Sequence, residues 1–76
     1  MLDDEDDVLA AFGGEVRRVR ERAGISQEKL AELSGLHRTY ISSVERGNRN
    51  LSLLNVVRLA RALDLPPSKL LRTIGS

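Results

Sequence analysis

The sequence has no cysteine and no tryptophan, and only one residue each of Met, His, Tyr and Phe. Without Cys there is no disulfide scaffold, no Cys-ligated zinc and no thiol chemistry, and a reducing compartment, the cytoplasm, is the expected location. One His excludes a multi-histidine metal centre within one chain. No apolar run nears the ~20 residues that cross a bilayer, so no membrane span is expected. The chain also lacks a basic leader. It opens with Asp3-Asp4-Glu5-Asp6-Asp7, opposite in sign to a secretory or mitochondrial signal. Neither a nucleophile–base pair nor a glycine-rich phosphate loop is legible, so catalysis, metal and cofactor are not expected.

What is present is a globular mixture, with 41% hydrophobic and 30% charged residues in 76. That length holds one domain with one modest core, and a partner subunit would help to stabilise it. The net charge of +1 averages two unlike parts. Five of the 11 acids fall in residues 3–7, which leaves six acids against all 12 bases in the remainder. Ten of those bases are Arg, whose forked donors match phosphates and guanine edges.

Helical periodicity dominates, and no sustained two-residue alternation occurs. Phe12, Val16, Val19 and Ala23 form one stripe of a first helix, with Arg17, Arg18, Glu21 and Arg22 turned away. The acidic run suits the positive end of that helix dipole. Gly13-Gly14 weakens it by roughly 1 kcal/mol per glycine, enough to allow a break, and Gly24 stops it. Ser26 caps a second helix with Leu30, Ala31 and Leu33 on its apolar side. A third helix, about Arg38 to Arg46, turns Ile41 and Val44 inward and ends at Gly47-Asn48. Ser52 caps a fourth, with a stripe of Leu53, Val56, Ala60 and Leu63. Pro67 then opens a short fifth helix through about Arg72.

Two short helices joined by a Gly-containing turn form a helix-turn-helix unit, whose second helix fits the major groove. Here the unit is Gln27 to Ser34, a turn at Gly35-Leu36-His37, and Arg38 to Arg46. Outside Ile41 and Val44, the last of these helices shows Arg38, Thr39, Tyr40, Ser42 and Ser43, all hydrogen-bonding groups. Residues 36–61 hold five Arg and a single acid, Glu45. A merely solvated helix mixes both signs on its exposed face.

Gly24-Ile25-Ser26-Gln27-Glu28-Lys29-Leu30-Ala31 and Tyr40-Ile41-Ser42-Ser43-Val44-Glu45-Arg46-Gly47 resemble the Cro/phage-repressor type of helix-turn-helix domain over about residues 12–71. His37-Arg38-Thr39-Tyr40-Ile41-Ser42-Ser43-Val44-Glu45-Arg46 and Arg49-Asn50-Leu51-Ser52-Leu53 resemble, more narrowly, controller proteins of restriction–modification systems. The resemblance implies an all-α, compact five-helix bundle of the lambda-repressor-like type. It implies that Gln27 touches a phosphate and supports the recognition helix, and that Arg38, Thr39 and Ser43 read base edges. Tyr40 and Ser42 would lie against the DNA backbone, and Asn48, Arg49 and Asn50 form the loop that reaches the groove or phosphates. Arg20 and Glu45 match a partly buried ion pair joining the first helix to the third. Leu51 stands where the wider family has Pro, and Asp64 where a helix-ending Gly is common. His37 reads as a cap or turn residue.

The fourth helix has more apolar residues than one core face uses. Leu54 and Val57, with Leu65, Leu70 and Leu71 beyond the prolines, fit an isologous homodimer interface. A dimer sets two recognition helices about 34 Å apart, one duplex turn, and so reads an inverted repeat. The expected organisation is an acidic leader at 1–7, a helix-turn-helix DNA-binding domain at 8–72 and a short tail at 73–76. The expected function is an autoregulatory transcriptional regulator with double-stranded DNA as its partner. RNA polymerase is a further candidate partner where the dimer sits beside a promoter, and no small-molecule effector is expected. Two alternatives stand beside it: an antitoxin-type or other operon repressor of the same fold, and a helical protein-interaction module without specific DNA binding.

Overall fold

The computed structural model describes residues 4–74, so Asp3 of the acidic leader and the last two residues of the tail lie outside the described residues. Five helices follow in order: α1 (Glu5–Arg22), α2 (Gln27–Ser34), α3 (Arg38–Glu45), α4 (Leu53–Ala62) and α5 (Pro67–Leu71), with no strand among the described residues. The acidic run is the start of α1. Asp4 caps it, accepting from the Asp6 N–H at 2.7 Å, and Glu5, Asp6 and Asp7 fill the first turn, where negative charge meets the free N–H groups.

The glycine pair does not break α1. Gly13 is buried against α3, and a Cβ built there would lie 2.0 Å from the Val44 carbonyl oxygen. Its lost helix propensity is offset by a backbone approach that no side chain permits. Gly14 faces open space, and nothing in the structure explains it. The α2 and α4 caps are those read from sequence: Ser26 accepts from Lys29 N–H, and Ser52 from Asn55 N–H. Gly24, Gly35 and Gly47 take left-handed φ near +75°. Asp64 takes φ 58° at the same kind of turn, closed by Leu65 N–H to the Ala60 carbonyl at 2.9 Å. The helix-ending turn therefore survives without Gly, because Asp tolerates this region better than most residues.

All five helices contribute to one core. Val16, Leu30, Ile41, Val44, Leu59 and Leu70 are essentially inaccessible, and Phe12, Ala31, Ala60 and Leu63 complete it. Each fully buried aliphatic side chain supplies roughly 1.5–3 kcal/mol. Three expectations are corrected here. Leu53, expected in the core stripe of α4, is 77% exposed. The true stripe is Val56, Leu59, Ala60 and Leu63, at i, i+3, i+4 and i+7, and Leu53 lies a turn before the core begins. Leu33 is half exposed because Ser34 occupies the inward position of α2. Its hydroxyl bonds the Ala31 carbonyl and accepts from Leu36 N–H. Leu70, expected at a subunit interface, is fully enclosed within the chain, since α5 packs on both α1 and α4.

Candidate nucleic-acid interface

Helix α3 is capped at His37, whose carbonyl accepts from Ile41 N–H while its side chain makes no cap bond. Ile41 and Val44 bury the inner side, which leaves Arg38 and Thr39 exposed and Tyr40, Ser42 and Ser43 half-buried. The one acid of α3 is withdrawn from this surface. Glu45 accepts from Arg20 Nε at 2.6 Å and Nη2 at 2.9 Å, and from Gln27 Nε2 at 3.1 Å. The Arg20 Nη1 donates to the Ile25 carbonyl at 2.9 Å. Side-chain exposure in this pair is 11% for Arg20 and 3% for Glu45. The hydrogen bonds that Arg20 donates to the Glu45 carboxylate hold its guanidinium even more firmly protonated than usual.

This pair joins the end of α1, the turn before α2, and the end of α3 at one point. Breaking such a buried pair costs about 3–5 kcal/mol, because a charge is left without its partner. Gln27 is half-buried and donates one amide N–H to Glu45, so it braces α3 as expected, while its other amide N–H makes no bond to another described residue. Arg38 has only a long pairing with Glu28, 4.0 Å away, and both side chains are well exposed. Its guanidinium is therefore nearly free to engage a ligand.

The loop after α3 is seated by Gly47, where a Cβ would come within 2.8 Å of the Ala10 Cα. Asn48 N–H donates to the Ser43 carbonyl at 2.9 Å. Asn48, Arg49 and Asn50 are exposed, and the Arg49 guanidinium lies 5.0 Å from the centre of the Tyr40 ring, within cation–π range. Asn50 shares an open cleft of about 280 Å³ with Glu5, Asp6, Val8 and Leu9, so the acidic first turn flanks the loop. Leu51 is half-buried against the core.

The geometry and the sequence both match known proteins. A helix-turn-helix family matches residues 16–70. The control protein C.BamHI of Bacillus amyloliquefaciens is 50% identical over 68 residues, 86% of this chain and 84% of that one. The chain belongs to this helix-turn-helix family of control proteins. Control protein C.SmaI of Serratia marcescens is 48% identical over 69 residues, covering 91% of this chain and 82% of the relative. The crystal structure of the restriction-modification controller protein C.AhdI from Aeromonas hydrophila agrees with a TM-score of 0.80 at 53% identity, over 82% of this chain and 94% of that one.

Within this control-protein fold, several residues escaped the sequence reading. Arg46 closes α3 and donates to the Ser42 hydroxyl and, at 3.5 Å, to the Ser43 hydroxyl. Its i, i+4 spacing from Ser42 was the available signal. Glu15 is 5% exposed and accepts from Arg18 Nε and Nη2 at 2.9 and 2.8 Å, with Arg72 Nε at 3.3 Å. The Arg18 hydrogen bonds hold its carboxyl below the ordinary 4.5, against the opposing effect of burial. The third residue is Asn55 of α4, whose Nδ2 donates to the Tyr40 hydroxyl at 3.0 Å. No sequence pattern pairs residues 15 apart on different helices.

The outer side of α4 presents Leu53 and Leu54, at 77% and 57% exposure, and α5 presents Leu71 at 39%. Val57 and Leu65 are half-buried. Among the described residues, no helix is long and apolar enough to cross a membrane.

Proposed function

We propose that the chain is a sequence-specific transcriptional regulator that binds an inverted-repeat operator as a homodimer, in control of a restriction–modification operon that includes its own gene. The observation that carries this reading is the outer surface of α3. Arg38, Thr39, Ser42, Ser43 and Arg46 face outward, while the only acid of the helix is buried against Arg20. A surface of donors without exposed acid suits a groove walled by phosphates. Arg38 and Ser43 read base edges with Thr39. Asn48, Arg49 and Asn50 follow the groove or the backbone.

Leu54, Val57, Leu65 and Leu71 form the two-fold interface, to which Leu53 is added and from which Leu70 is removed by its burial. Dimerisation and operator occupancy are the regulator's inputs. Over the promoter the dimer represses, and beside polymerase it activates. In a control protein this delays nuclease expression until the methyltransferase has protected the host DNA. The Neisseria hypothetical transcription factor, 43% identical over 70 residues, favours a second reading, a regulator of another operon with the same binding mode. Neighbouring genes separate the two.

The test is binding to the gene's own upstream DNA across a salt series, with competitor duplex and an Arg38→Ala variant. Preference of about 10³ or more over competitor, as dimers, supports the reading. The variant is expected to lose about 1–3 kcal/mol of that preference. Weak binding without sequence preference, identical in the variant, leaves only a basic helical module.

A further inference from the structure

Tyr40 is held at three points, and only one of them lies on its own helix. Its backbone belongs to α3. Its ring lies under the Arg49 guanidinium. Its hydroxyl accepts from Asn55 Nδ2 at 3.0 Å, so α4 also fixes where the ring points. Asn55 is itself oriented. Its backbone N–H is tied to the Ser52 hydroxyl at 3.1 Å, and its Oδ1 accepts from Arg58 Nη1 at 3.4 Å. Arg has no acceptor, so the amide oxygen must face Arg58 and the NH2 must face Tyr40. A flipped amide would set donor against donor.

A consequence for proton direction follows. A phenolic hydroxyl has one hydrogen and two lone pairs. Because Asn55 can only donate to it, the Tyr40 hydrogen is not used in that bond and points to an acceptor elsewhere. On the surface of α3, resting on the function proposed above, that acceptor is an oxygen or ring nitrogen of the DNA. We infer that Asn55 is a positioning residue for operator recognition: without touching the duplex, it places the Tyr40 ring and dedicates the Tyr40 hydroxyl to donating toward DNA. Arg58 backs it by fixing the amide.

The test is a double-mutant cycle on operator binding with Asn55→Ala and Tyr40→Phe, with thermal unfolding of each variant as a control. Each single change is expected to weaken operator binding about fivefold, and the double variant no further than either alone. Additive losses, or loss in only one single variant, would overturn the inference. A second readout needs no DNA. The sequence has one Tyr and no Trp, so its intrinsic fluorescence reports Tyr40 alone. Asn55→Ala is expected to raise acrylamide quenching of that signal at an unchanged unfolding midpoint, and unchanged quenching would contradict the positioning. If the wild type binds all duplexes alike, the function reading fails, and the placement of the ring stands or falls on the quenching result.

Discussion

The α3 side of the molecule and its α4–α5 side are each seated by a buried glutamate, but the two anchors differ in depth. Glu45 fixes α3 through Arg20, and both side chains are nearly out of water. Glu15 ties the end of α5 to α1 through Arg72 and takes two further bonds from Arg18, yet those arginines are 57% and 44% exposed. The outward surfaces differ as sharply. The α3 surface is polar, with no exposed apolar side chain, whereas α4 exposes Leu53 and Leu54. A surface that reads fixed base positions needs rigid support from beneath. A surface that buries leucines against another protein gains from area and tolerates more play.

The largest expected effect comes from removing the deep anchor. Glu45→Ala leaves the Arg20 charge buried without a counter-charge and should cost about 3–5 kcal/mol of stability, read as a large fall in the denaturant midpoint. A loss of only about 1–2 kcal/mol, the size expected for Glu15→Gln, would make the two anchors equivalent. On the α4–α5 side, Leu54→Glu should weaken self-association by about 2 kcal/mol or more with folding intact. Sedimentation over a concentration series checks it, and self-association equal to that of the wild type would remove α4 from the proposed interface.

Acid sharpens the comparison further. The folded-state pKa of Glu15 lies below the ordinary 4.5. Its contribution is therefore complete above that value and is lost as pH falls through the lower folded value. Glu15→Gln should cost about 1–2 kcal/mol at neutral pH, less than Glu45→Ala because the arginines it frees regain water. The difference from wild type should shrink in acid, as urea melts at several pH values would show. The smallest effect belongs to the acidic first turn beside Asn50. Neutralising it with Glu5→Gln and Asp6→Asn should strengthen DNA binding about twofold at low salt and hardly at all at high salt. Equal affinities at low salt would separate that turn from the DNA surface.

Much of this architecture is written in local signals. Ser26, Ser52 and Pro67 announce helix starts, and Gly24, Gly35 and Gly47 announce ends, because caps and left-handed turns depend on near neighbours alone. The polar face of α3 was legible for the same reason. Gly13 was misleading, since its cost to the helix is local while its use, the approach of α3, is not. Leu53 misled because its spacing from Val56, Ala60 and Leu63 fits the core face of α4, and only the tertiary fold shows that the core begins a turn later. The Glu15–Arg18 pair was open to i, i+3 spacing, but Arg72 at the end of α5 and Tyr40, the partner of Asn55, were hidden because they come from other elements. Arg20 and Glu45 were found through family resemblance rather than spacing.

The central claim, that the outer side of α3 reads DNA sequence, is tested most directly by selecting binding sites from randomised duplexes with the wild type and Arg38→Ala in parallel. The wild type should enrich an inverted repeat with half-sites about one helical turn apart, and the variant should relax one base pair in each half while keeping the rest. No enriched repeat with the wild type, or an identical repeat with both proteins, would contradict it.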